Sequence, residues 1–170
     1  MKSKLVFAAA FLYATMFSLS CSKNAALTSG KLYLTQDNLE KAQEQLEIAV
    51  QQIPKDWEPH FLLGVVYGKK KMFEEMNREF TKVIGLNPAK EDVVNRGDRR
   101  YWGGREPMWA DWYNNGIEYF NGKKYEKAAE YFETATRIWP AKGKAYSMLG
   151  YVYSILGRGD EAIEACQKVV

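Results

Sequence analysis

Histidine is almost missing from this chain: His60 is the only one among 170 residues. A histidine-built metal centre or a Ser-His-Asp triad therefore has no raw material. Long hydrophobic runs are also lacking. The one apolar stretch, Leu5 to Leu19, has about 15 residues, short of the roughly 20 that span a bilayer. A large charge of one sign is absent too. The formal net charge of +3 includes Lys2 and Lys4 at the extreme N-terminus, and without those two it is +1. So even a balance gives no support for general nucleic-acid binding. Gly103-Gly104 has neither a preceding strand nor a following Lys-Ser/Thr, which excludes a phosphate loop. Glu74-Glu75 falls on the outer part of a helix, with no apolar pocket to shift either carboxylate. The tripeptides Arg96-Gly97-Asp98 and Arg158-Gly159-Asp160 spell an adhesion motif, but matches of three residues are common by chance. No catalytic constellation emerges, and a non-enzyme without cofactor or metal is expected.

What the chain does have is a repeat. One spacing recurs four times, as Gly30–Tyr33–Ala42–Leu46–Ala49–Pro54, Gly64–Tyr67–Met76–Phe80–Val83–Pro88, Gly116–Tyr119–Ala128–Phe132–Ala135–Pro140 and Gly150–Tyr153–Ala162–Cys166–Val169. Pro54 to Pro88 is 34 residues, as is Gly116 to Gly150. In the third unit Trp112, Gly116, Tyr119 and Phe120 fall on one helical face, and Tyr125, Ala128, Phe132 and Ala135 on another. The small residues let the two helices approach, and the aromatics fill the space beside them. Asn121-Gly122 is expected to supply the left-handed turn between them, and Pro140 to end the pair.

With Leu63-Gly64, Tyr67 and Pro88, and again with Leu149-Gly150 and Tyr153, the pattern resembles the tetratricopeptide repeat, whose period is 34 residues. The resemblance implies an all-α, right-handed solenoid of stacked antiparallel helix pairs. Its units are expected at about 26–56, 57–90, 109–142 and 143–170, the last incomplete. The array is expected to continue past Val170 in the natural chain, because such arrays usually end in a polar helix. Cys166 is expected as a small buried hydrophobe on the last helix, and His60 as a packed imidazole.

The N-terminus has the form of a secretory signal at 1–20, with Lys2 and Lys4 before the apolar run. Ser20-Cys21 resembles the lipobox of bacterial lipoproteins, although Ser18 stands where that motif favours Leu. The resemblance implies acylation of Cys21, a short tether over 21–25 and an extracytoplasmic chain held on a membrane by lipid. Ser22, not Asp, follows the Cys, which under enterobacterial sorting rules implies an outer membrane and a periplasmic face.

The family lines its concave groove with the first helix of each unit. Carried over, those positions include Phe61, Val65, Tyr113, Ile117, Phe120 and Tyr151. Leu27, Val65 and Asn114 stand where a carboxylate clamp needs Lys, Asn and Arg, so the expected partner is a protein segment with apolar or aromatic side chains. Some groove positions are alternatively covered by the insert. The 52 residues from Pro88 to Pro140 leave 18 beyond one period, placed within 89–108. That insert is expected to be a loop with one helical turn around Glu91 to Asn95, and Trp102 and Arg105 are its candidate partner contacts. Alternatively, Tyr101 and Trp102 pin it to the array.

These readings converge on a protein-interaction scaffold of the cell envelope. Two rivals remain: a structural bridge from membrane to peptidoglycan through the lysine-rich turns at Lys69 to Lys71 and Lys123-Lys124, and an accessory region of a longer protein.

Overall fold

The computed structural model describes residues 25–98, 100–101 and 103–169. Cys21 and the rest of the signal and tether up to residue 24 lie outside those residues, as do Trp102 and Val170. Helices α1 (25–35) and α2 (Leu39–Gln52) form the first pair, and α3 (Trp57–Lys69) and α4 (Phe73–Leu86) the second. A 3-10 turn at Pro88–Lys90 and the short helix α5 (Glu91–Arg96) follow. Then come α6 (Arg105–Asn121) with α7 (Tyr125–Ile138), and α8 (Gly143–Ile155) with α9 (Gly159–Gln167). Among the described residues the only β pairing is one isolated bridge between Asp98 and Gly103. The helix pairs stack in chain order as an all-α solenoid.

Close approach within each pair depends on its glycine. A Cβ on Gly64 would sit 2.5 Å from the Phe80 ring, one on Gly116 2.7 Å from Phe132, and one on Gly30 2.7 Å from Leu46. Phe80, Phe132 and Leu46 are completely buried, and burial of each contributes about 1.5–3 kcal/mol. In the fourth pair Cys166 takes this place against Gly150, but its residue is exposed, contrary to expectation. The second helix there is short, and no described helix stacks beyond it. Ala162 beside it is buried, whereas Val169 is exposed.

The turn within each pair is one motif repeated. In the third, the Lys124 amide donates to the Tyr119 carbonyl and the Lys123 amide to that of Phe120, at 2.9 Å each. This is the Schellman closure of a helix end. It requires a left-handed residue, and Asp37, Lys71, Lys123 and Gly157 supply it, with φ of 55°, 61°, 58° and 73°. The expectation for Asn121-Gly122 therefore fails by one position: Gly122 has an ordinary φ of −77°.

Pairs one and two, and pairs three and four, join in the same way. The Tyr67 hydroxyl donates to Glu47 (3.1 Å) and that of Tyr153 to Glu133 (2.6 Å). His60 is buried at the first of these junctions, with Nδ1 2.6 Å from Glu79 and Nε2 3.3 Å from the Pro54 carbonyl. The second and third pairs meet differently, because the insert intervenes. Arg137 binds Glu74 through both guanidinium and carboxylate atoms, and Asn77 bridges the Arg137 carbonyl (2.8 Å) and Arg105 Nε (3.0 Å). Helix α6 starts at Arg105, inside the stretch expected to be insert. Pro107 is compatible with that start. It falls in the first turn, where its missing amide hydrogen has no intrahelical partner to lose.

Candidate protein-binding groove

Residues 113, 117 and 120 recur at helical intervals on α6 and so share one face. Tyr151 extends that face onto α8. Phe120 and Tyr151 meet with ring centroids 5.7 Å apart, and Phe120 also meets Tyr125 at 5.6 Å. Ile117 and Phe120 are half-buried, Tyr151 is 56% exposed, and Ile155, one turn further along α8, is 41% exposed. Ile155 was missed in the sequence because the family's groove positions do not include it. Its spacing from Tyr151 was the available signal.

The remaining expected groove residues are core, not surface. Val65 is fully buried, since the insert backbone rests on it: a Cβ on Gly103 would lie 2.4 Å from its methyl groups. Phe61 is 2% exposed and stacks on Phe80 at 5.9 Å. Tyr113 lies under Lys144, stacked on Trp109 at 4.6 Å, and burial pushes its hydroxyl pKa up. Three of the six expected anchors are thus unavailable to a partner. The insert and its neighbouring helix have filled the part of the groove that belongs to the second unit.

Arg105 is not a free contact either. Its Nε binds Asn77, its guanidinium lies 5.5 Å from the Phe80 ring, and burial lowers its pKa. Tyr101 is half-buried and packed against the core, so it pins the loop. With Leu34, Asp37, Lys69 and Arg100 it rims a shallow cavity of about 450 Å³. Among the described residues no group of His, Cys, Asp and Glu is arranged to hold a metal ion, and no helix is long and apolar enough to cross a membrane.

Models of the tetratricopeptide repeat match residues 58–90 and 113–170, together just over half of the chain. The chain folds as a tetratricopeptide array. Solved structures similar to it include "MamA MSR-1 C2", 21% identical over 86% of this chain and 74% of the other, with a TM-score of 0.39. Another, "Crystal structure of MamA", is 22% identical over 91% of this chain and 81% of the other, also at 0.39. At these scores the likeness bears on neither curvature nor partner. No curated protein matches the chain.

Tetratricopeptide arrays are protein-interaction scaffolds that present a concave surface. In this one the expected groove residues that stay open, Ile117, Phe120 and Tyr151, belong to the third and fourth units. The lysine-rich turns are engaged elsewhere: Lys69 pairs with Asp37 (2.7 Å), Lys70 with Gln43 (2.8 Å), and Lys71 lies 5.4 Å from the Trp112 ring. Lys124 lies 5.9 Å from the Tyr119 ring. These four have partners within their own array, whereas Lys123 is exposed.

Proposed function

We propose that this chain is a lipid-anchored scaffold of the cell envelope that holds an apolar or aromatic segment of a partner protein against Ile117, Phe120, Tyr151 and Ile155. Tyr151 carries the reading: a large ring left 56% exposed on a first helix, paired with Phe120, is the kind of anchor that interfaces bury. The anchor itself is inferred from Lys2, Lys4, the apolar run and Cys21. Acylation there would place the array close to a membrane, on the periplasmic side of an outer membrane under the sorting rule. Binding is the whole of its proposed action, with no chemical step.

Two measurements test the two parts. Labelled palmitate should enter the full chain and be lost in Cys21→Ser, which should also move from the membrane to the soluble fraction. A photo-crosslinker at position 151 should then give a defined product in intact envelopes. Ile117→Ser with Phe120→Ser should abolish that product. The same product from a crosslinker at Leu32, which is exposed on α1 far along the array, would sink the groove reading.

A further inference from the structure

Repeat symmetry exposes a vacant place on the opposite side of the array. At the two regular junctions the second helix of one unit receives the first helix of the next: α2 receives α3, and α7 receives α8. Each seat is marked by the hydrogen bond from Tyr67 to Glu47 or from Tyr153 to Glu133. On α4 the equivalent of those glutamates is Thr81, and its hydroxyl turns back to the Asn77 carbonyl in its own helix (2.8 Å). The equivalent tyrosine, Tyr119, stacks on Tyr131 of its own unit instead, at 5.0 Å. The insert has carried α6 aside, and α6 does not pack along α4.

The vacated face of α4 forms one wall of a cavity of about 800 Å³. Tyr146, Leu149 and Tyr153 of α8 line its floor, and α9 forms the far wall. Ala165 deepens it. The same repeat position holds Glu79 in the second unit and Tyr131 in the third, so a small residue leaves room for one bulky side chain. On the α4 wall Arg78 and Lys82 stand one turn apart, with side chains 69% and 52% exposed, each held by a single carboxylate, Glu75 and Glu79. On the α9 wall stand Glu161 and Glu164, the latter with a side chain 67% exposed and paired with Lys168 at 2.7 Å.

We propose that this cavity docks one amphipathic α-helix of a partner protein, lying on α4 as α3 lies on α2 and α8 on α7. A bulky apolar side chain enters over Ala165. Acidic residues on one flank face Arg78 and Lys82, and a basic residue on the other faces Glu164. A helix is the fitting occupant because both sister seats hold one, and because no described strand edge borders the cavity to pair with an extended segment. The site is separate from the concave patch of Phe120 and Tyr151, and it stands whether or not that patch binds anything.

The test uses the full chain and a stapled helical peptide of about 15 residues, long enough for the seat but helical only when braced. It carries a Leu/Phe stripe, Glu on one flank and Lys on the other. A twin peptide has the two flanks exchanged. Amide shifts on titration should fall on α4, α8 and α9, and binding should weaken about tenfold or more for the twin, as specificity by charge requires. Thr81→Trp, on the exposed wall, should weaken it similarly, and Ala165→Trp, if it folds, should do the same. No binding, shifts centred on Ile117, Phe120 and Tyr151, or equal binding by the twin and by Thr81→Trp would each overturn the proposal. So would a dimer in sedimentation that Thr81→Trp dissolves, because the occupant would then be a second copy.

Discussion

Lys123 occupies backbone angles that favour glycine, and Gly157 holds the same place one unit later at φ 73°. A left-handed L-residue costs about 1–2 kcal/mol, whereas glycine loses about 0.5–1 kcal/mol more to ordering. Lys123→Gly should therefore raise stability by about 0.5 kcal/mol, and Gly157→Ala should lower it by about 1 kcal/mol. Lys123 is a cleaner site than Lys71, which also lies over Trp112. Urea unfolding of both variants measures this. A destabilised Lys123→Gly would mean that the Schellman turns carry no strain. The position of strain was not legible in the sequence, because Asn-Gly chemistry pointed one residue early. The glycine-to-aromatic spacing was legible, since steric contact between Gly64 and Phe80 tolerates no larger residue. Exposure was not: Val65 is covered by Gly103 of the insert and Tyr113 by Trp109 and Lys144, and no repeat position encodes either.

The tyrosine-to-glutamate bond joins elements, and its chemistry can be read by pH. Burial first, and then the Glu47 carboxylate, push the Tyr67 hydroxyl up to about 12. Burial and Glu133 raise that of Tyr153 as well. The free tyrosine value is about 10, so each folded value lies above the unfolded one. The stabilising contribution of Tyr67 is thus complete below pH 10 and is lost as pH rises from about 10 to about 12, and that of Tyr153 starts to be lost at the same pH. Tyr67→Phe should cost about 1 kcal/mol at neutral pH, as the loss of one hydrogen bond does. It should also flatten the fall of the unfolding midpoint across that window. An unchanged slope would mean that the junction is held by packing alone. The repeat spacing located both tyrosines in the sequence. It gave no sign that the middle junction lacks the bond, because that absence follows from the insert and the early start of α6 at Arg105.

In a solenoid, stability is close to a sum of unit terms and nearest-neighbour interfaces, so one weak interface divides the molecule. Here the interface between the second and third units has no helix seated along α4. Instead it uses Asn77, the Glu74–Arg137 pair, an edge contact of Phe73 with Trp112 at 6.5 Å, and Met108 against Gly68. The exposed ion pair contributes about 0–1 kcal/mol, and the two hydrogen bonds of Asn77 about 1 kcal/mol each. Asn77→Ala with Arg137→Ala should therefore remove about 2 kcal/mol of coupling and leave each block folded. Nine buried residues lie along α3 and only two along α9, so the C-terminal block should open first. In amide hydrogen exchange, α7 and α8 should then exchange about 10–30-fold faster while α3 keeps its protection. Equal acceleration of α3 and α7 would show a single cooperative core running through the insert. In that case α4, α5 and α6 share more apolar contact than their ion pair and amide bonds supply.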